Sequence, residues 1–195
     1  MNNDTLDPYI NYLNSASIIY PRIKNAMMGR LKGIPTVSAI IERRRGGVTE
    51  VLVQTRWKPH GDPTYSGTLE IPAGAIERYE DVYHALKREV FEETGLRVAT
   101  IRPEIKTRRF SPKRDASFAF VPFCCNQQIK GGKPWIGFVF VCEVKEGKLK
   151  PQKDEVKDVL WMKRSDLKKI FKKNPKRIFT FQLGVLEHYF NRRKG

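Results

Sequence analysis

The chain has 195 residues and a mass of 22.6 kDa, with 40% hydrophobic and 11% aromatic residues and a formal net charge of +16. That length fits one domain with an appendage, and the apolar content suffices for a packed core, which excludes wholesale disorder. No apolar run nears the roughly 18 residues of a membrane span, and Met1-Asn2-Asn3-Asp4 lacks the basic, apolar pattern of a leader.

Residues 1–34 read as an N-terminal appendage, with weak helical patterning over 6–13 and 18–28 interrupted by Pro21. Residues 35–195 read as the main domain. Residues 37–42 and 51–54 are apolar, β-branched runs flanking Arg43-Arg44-Arg45-Gly46-Gly47, so they predict a hairpin. Residues 57–67 hold two prolines and two glycines and predict a loop. Residues 69–71 predict a short strand stopped by Pro72. Residues 79–94 form the clearest helix, with Gly95 as its C-cap. Residues 97–105, 116–124, 136–144 and 156–162 read as strands. Ser165 is the expected N-cap of the next helix, and 179–189 closes the chain as a helix. Strands around one dominant helix, with helices near the end, predict an α/β (α+β) sandwich with a mixed sheet. Cys124, Cys125 and Cys142 form neither a disulfide framework nor a CxxC pair, and are expected as reduced thiols in a cytoplasmic protein.

The charge is uneven. Residues 1–96 carry 12 Lys+Arg and 12 Asp+Glu, whereas residues 97–195 carry 25 and 9, so the whole excess lies in the second half. Such a charge attracts phosphate-bearing ligands; the competing reading is a solvated surface.

The helix over 79–94 carries the chemical argument. At about 100° per residue, Val82, Ala85 and Leu86 define a core-facing stripe, and Glu89 and Glu93 fall on its continuation with Glu92 beside it. Three carboxylates at i, i+3 and i+4 repel one another, and they lie near the helix C-terminus, where the macrodipole disfavours anions. Arg88 reaches Glu92 but cannot neutralise all three. A hard divalent cation with oxygen ligands, Mg²⁺ with Mn²⁺ as substitute, relieves that repulsion; a surface acidic cluster is the alternative.

The same residues carry a pattern. Gly74, five residues, Glu80, seven residues, then Arg88-Glu89-Val90-Phe91-Glu92-Glu93-Thr94-Gly95-Leu96 matches the signature of the Nudix hydrolases, Gly-x5-Glu-x7-Arg-Glu-U-x-Glu-Glu-x-Gly-U with U aliphatic. The chain resembles that family from about residue 35 to the final helix. The resemblance implies an α/β/α sandwich that cleaves a nucleoside diphosphate linked to another moiety, using water and Mg²⁺. It implies Glu89 and Glu93 as metal ligands, Glu92 as a ligand or water-activating base, and Arg88 as the residue that orients the carboxylates. Glu80 belongs to the outer shell. Gly74 lets the backbone approach closely, the Ala73 carbonyl is a further candidate ligand, and Gly95 is structural.

The flanks are similar to ADP-ribose and nucleotide-sugar pyrophosphatases: Glu70-x-Pro72-Ala73-Gly74 resembles their lead-in, and Gln54-x-Arg56 resembles a strand end whose Arg contacts phosphate. Ser111-Pro112 lies at about the spacing seen in that subgroup, but Lys113 stands where its glycine is expected. Diadenosine or diphosphoinositol polyphosphates and RNA 5′ ends therefore stay open as substrates. A non-catalytic nucleotide-binding module is disfavoured because all box carboxylates are present. Lys106, Arg108, Arg109, Lys113 and Arg114 form a basic run around Phe110, a candidate phosphate clamp with Phe110 or Trp57 stacking on a base; Arg56 and at least one of Arg108, Arg109, Lys113 and Arg114 are expected to face the metal cluster across a cleft, and the competing reading of the run is a solvated loop. Glu155, on a loop before residues 156–162, is the candidate general base. His60 and His84 are expected on the surface. The implied partner is a nucleoside diphosphate small molecule, with no membrane; a monomer and a homodimer both fit.

Overall fold

The structure, a computed structural model, describes residues 33–111, 115–151 and 155–192. All but Gly33 belong to one compact unit, Ile34–Gly195. The appendage expected over residues 1–34 therefore lies almost wholly outside the described residues.

Ten strands form among the described residues: β1 (Ile34–Arg45), β2 (Val48–Arg56), β3 (Leu69–Glu70), β4 (Ala73–Ala75), β5 (Val98–Arg102), β6 (Ile105–Lys106), β7 (Phe120–Val121), β8 (Cys124–Gln127), β9 (Trp135–Val144) and β10 (Val156–Lys163). The helices are α1 (Val82–Thr94), α2 (Arg164–Lys173) and α3 (Leu183–Asn191). The main sheet runs β10-β2-β1-β9-β5, with β3 on β2, β4 on β1 and β8 on β9. The pairing of β1 with β9 is parallel and the others are antiparallel, so the sheet is mixed as expected.

Burial along β1 is unbroken from Thr36 to Glu42 because both faces are covered. Val37, Ala39 and Ile41 pack with Leu52, Phe140 and the α1 residues Val82, Ala85, Leu86 and Val90. Ile40 points the other way, joining Val51, Val139 and Val141 beneath Leu167 of α2 and Val185, Leu186 and Tyr189 of α3. The period of two along β1 and β9 thus divides one sheet between two helical layers.

Several boundaries differ from expectation. The hairpin turn is only Gly46-Gly47, with φ of 55° and 78°, a left-handed pair that a two-residue turn requires. Helix α1 starts at Val82, not Tyr79, because Tyr79 has φ 63°. The Asp81 side chain caps it by accepting from the Tyr83 N–H, while Gly95 closes it at φ 74°. Ser165 is not an N-cap: Lys163 takes that position without a side-chain hydrogen bond. The stretch 116–124 is not one strand. Phe118 and Phe120 instead pack around Tyr83, with centroids 6.3 Å from its ring, leaving only β7 and the start of β8. The closing helix begins at Leu183 after a tight turn at Thr180–Gln182. No helix among the described residues is long and apolar enough to cross a membrane.

Candidate metal and catalytic site

The α1 stripe that buries Val82, Leu86 and Val90 also buries Glu93, which is 3% exposed. A carboxylate at that depth is costly without donors. Two converge on its Oε2, the Gln54 amide nitrogen at 2.9 Å and the Ala73 backbone N–H at 2.9 Å. Gln54 ends the apolar part of β2 on the face of Leu52, and its register opposite Glu70 of β3 lets the same nitrogen donate to Glu70 Oε1 at 3.2 Å. One amide thus separates two buried carboxylates, and its own Oε1 is buried without a partner. Desolvation, and then the charge of Glu70, push the Glu93 carboxyl well above the usual carboxylate range, against the pull of Gln54 and Ala73. Desolvation also raises Glu70, opposed mainly by Arg56.

Glu89 lies one turn earlier, against Gly74. A β-carbon at position 74 would stand 1.9 Å from the Glu89 carboxyl carbon, so only glycine leaves room for this carboxylate beside β4. Register fixes the contact, because Gly74 pairs with Val37 in the strand that α1 packs upon. Burial raises the Glu89 carboxyl first, Arg88 opposes it, and Glu92 and Glu155 raise it further. Glu155, from the loop before β10, is therefore within electrostatic reach of the box.

Arg88 is the hub. Its Nε and Nη2 grip the two oxygens of Glu80 at 2.9 and 2.8 Å, its Nη1 donates to Glu89 at 2.7 Å and Glu92 at 3.0 Å, and Nη2 also reaches the Ala75 carbonyl at 3.0 Å. The bidentate pair holds the Glu80 carboxyl down to about 2. Glu92 is the most open of the three box carboxylates, its side chain 46% exposed.

These groups fit a hard cation. Every donor at this end of α1 is an oxygen, the Gly74 cradle holds Glu89 at the backbone, and the Gln54 oxygen is an orphan beside Glu93 and Glu70. Among the described residues, however, no three Asp, Glu, His or Cys side chains already converge on one point. Glu89, Glu92 and Glu93 are instead held by Arg88, Gln54 and the Ala73 N–H.

The expected substrate residues divide into two groups. Arg56, Trp57 and Glu155 lie together. Trp57 donates its N–H to the Glu155 carbonyl at 2.8 Å, and Lys58 Nζ pairs with Glu155 Oε2 at 2.9 Å. Trp57 is 39% exposed, with Lys157 Nζ 5.1 Å from its ring centroid. Arg56 is engaged inside the protein, by Glu70 at 3.2 Å and Asp62 at 2.6 Å, over the Phe179 ring. Arg109 is elsewhere. It pairs at 3.0 Å with Asp81, the N-cap of α1, roughly 18 Å along the helix from Glu93. Phe110 is exposed, with the Arg108 guanidinium 5.3 Å from its centroid. Lys113 and Arg114 lie outside the described residues. His60 and His84 are exposed, as expected.

Gln54 and Glu70 were legible only as flanking motif residues; their role as buried partners was missed, as were Lys58 and Asp62. One signal was available, since a period of two along β2 puts Gln54 on the α1-facing side after Leu52.

The sequence model of the NUDIX domain family matches residues 33–183. Among solved structures, the NUDIX domain of Shewanella oneidensis NrtR, complexed with ADP ribose, aligns at TM-score 0.58 and 15% identity, covering 85% of this chain and 91% of that one. A NUDIX hydrolase from Nitrosomonas europaea aligns at TM-score 0.53 and 22% identity, covering 82% and 89%. The MutT protein from Methanosarcina mazei Go1 aligns at TM-score 0.53 and 18% identity, covering 85% and 99%. No curated protein matches the chain in sequence.

Proposed function

Because the chain belongs to the NUDIX family of pyrophosphate-bond hydrolases, we propose that it cleaves the diphosphate of a nucleoside diphosphate derivative, of the ADP-ribose class, with Mg²⁺ or Mn²⁺ as cofactor. The observation that carries this reading is the acidic end of α1: Glu93 buried on Gln54 and the Ala73 N–H, and Glu89 seated against Gly74. The flanking residues Gln54, Arg56 and Glu70, and the likeness to a domain solved with ADP ribose, support the substrate class.

Glu89, Glu92 and Glu93 would hold the cation, with the Ala73 carbonyl as a further donor. When bound, the cation neutralises charge on the diphosphate's non-bridging oxygens. The chain's own residues do the rest. Arg88 keeps Glu89 and Glu92 turned toward one side of α1, and Gln54 and Ala73 fix Glu93, which must lose its proton before it can bind a cation. Glu155 takes the proton of the attacking water on its carboxylate, oriented by Lys58. Trp57 offers its partly exposed ring to the base.

The test is a panel of ADP-ribose, nucleotide sugars, diadenosine and diphosphoinositol polyphosphates and a 5′-triphosphorylated RNA, incubated with Mg²⁺ and followed by phosphatase-coupled phosphate release. ADP-ribose or a nucleotide sugar is expected to turn over fastest. Turnover confined to the RNA, or absent throughout, rejects the reading.

A further inference from the structure

One concavity of the described surface lies away from the box. About 900 Å³ opens at the far end of β1, lined by Arg43 and Arg44 with Arg102 from the end of β5 and Arg192 after α3. Gly74 pairs with Val37, and Arg43 lies six residues further along the same strand, roughly 20 Å away at the rise of an extended chain. Four guanidiniums face two lining carboxylates, Glu42 and Glu143, so the lining carries net positive charge.

Three of the four arginines are held in place. Glu42, 9% exposed, accepts from Arg192 at 2.7 Å and Arg102 at 3.3 Å, and the Tyr189 hydroxyl donates to it. Arg102 also reaches Glu143 at 3.1 Å. Arg43 is fixed by Glu50 at 2.6 Å and by the Trp161 ring, 4.1 Å from its guanidinium carbon. Arg44 has no ion-pair partner among the described residues. Guanidiniums fixed by one buried carboxylate have already lost much of their rotamer freedom, and their planar forks match phosphate oxygens. Phe123, Pro103 and Val141 supply an apolar wall, and the volume falls within the range of small-molecule sites.

We propose that this concavity is a second binding site, separate from the box, for a small molecule bearing an oligophosphate. A solvated surface would spread its arginines over convex ground. Here four line one hollow beside an apolar wall, and two of them, Arg102 and Arg192, share the buried Glu42. That combination favours a compact phosphorylated ligand over a nucleic-acid chain, which needs an extended basic track. Part of the positive excess in the second half of the chain, Arg102 and Arg192, is thereby assigned away from the box.

The test titrates the ¹⁵N-labelled full chain with inorganic tripolyphosphate and, separately, with ATP, in buffer stripped of divalent cations. The backbone amides of Arg43, Arg44 and Val144 should shift and saturate with at least one of the two. Arg44 is exposed and unpaired, so Arg44→Glu should keep the fold and weaken that binding about tenfold or more, whereas Lys172→Glu, an equal charge change on α2, should leave it within about twofold. Tighter binding of ATP than of tripolyphosphate makes the ligand a nucleotide held by the apolar wall; equal binding makes it the oligophosphate alone. The proposal is overturned if neither probe shifts these amides at millimolar concentration, if both variants weaken binding equally, or if a parallel titration with single-stranded RNA is the one arm that moves them.

Discussion

The Glu89 carboxylate lies so close to the Gly74 backbone that a β-carbon there would stand 1.9 Å from its carboxyl carbon. What it would meet is the mobile end of a side chain, so Gly74→Ala displaces Glu89 while leaving the strand pairing intact. The melting temperature should change little. kcat should fall about 10- to 100-fold, the range seen when a support of a metal ligand is lost. A variant with normal kcat would show that Glu89 need not occupy this cradle.

Burial sets a pH dependence. The folded Glu93 carboxyl is raised well above its ordinary value of 4.5. The folded state therefore binds its proton more tightly than the unfolded chain does, and the associated stability is full below about 4.5 and lost as pH rises through the raised value. Glu89 is shifted in the same direction. A cation needs the ionised form, so stabilisation by Mg²⁺ should grow with pH across the same window. Melting temperatures of metal-free and Mg²⁺-loaded protein, measured from pH 4 upward on this argument, should diverge. In Glu93→Gln the metal-free curve should be flatter.

Glu155 and Glu92 compete for the role of base. Glu155 is oriented by Lys58 at 2.9 Å, whereas Glu92 is tied to Arg88 at 3.0 Å. Glu155→Gln should lower kcat with little change in KM, and Glu92→Gln should be the milder change. An inactive Glu92 variant beside a normal Glu155 variant would move the base into the box.

The helix and its acidic stripe were legible because they are local. A period of 3.6 residues puts Val82, Leu86, Glu89 and Glu93 on one side whatever surrounds them. The partners of that stripe were not. Gln54 bridges Glu70 and Glu93 only because β3 pairs with β2 in one register, and nothing near Gln54 in the chain encodes that register. Apolar content misled at 116–124, where Phe118 packs on Tyr83 outside the named strands and Phe120 joins only the two-residue strand β7, paired with β6. Charge counting could not place Arg109 beside Asp81, because composition carries no direction.

The sequence leads to the expectation that Arg56 and at least one of Arg108, Arg109, Lys113 and Arg114 face the acidic cluster, and that removing that residue raises KM. For Arg109, its pair with Asp81 at the other end of α1 changes that expectation. Arg109→Ala should leave KM unchanged at low and at high salt, and should alter stability by about 0–1 kcal/mol, as for other exposed pairs. A rise in KM at low salt that fades as salt is added would return Arg109 to substrate binding.

The central claim is that the buried end of α1 serves cation-dependent cleavage of a diphosphate, and Glu93→Gln tests it most directly. The amide keeps the size of the side chain and one acceptor for the Ala73 N–H. Steady-state hydrolysis of the best panel substrate should be measured for wild type and variant over a Mg²⁺ series, with circular dichroism to confirm the fold. The expected result is a loss of kcat by orders of magnitude, since a Lewis-acid contribution is worth several kcal/mol. A folded Glu93→Gln enzyme with wild-type kcat and an unchanged Mg²⁺ dependence would contradict the account.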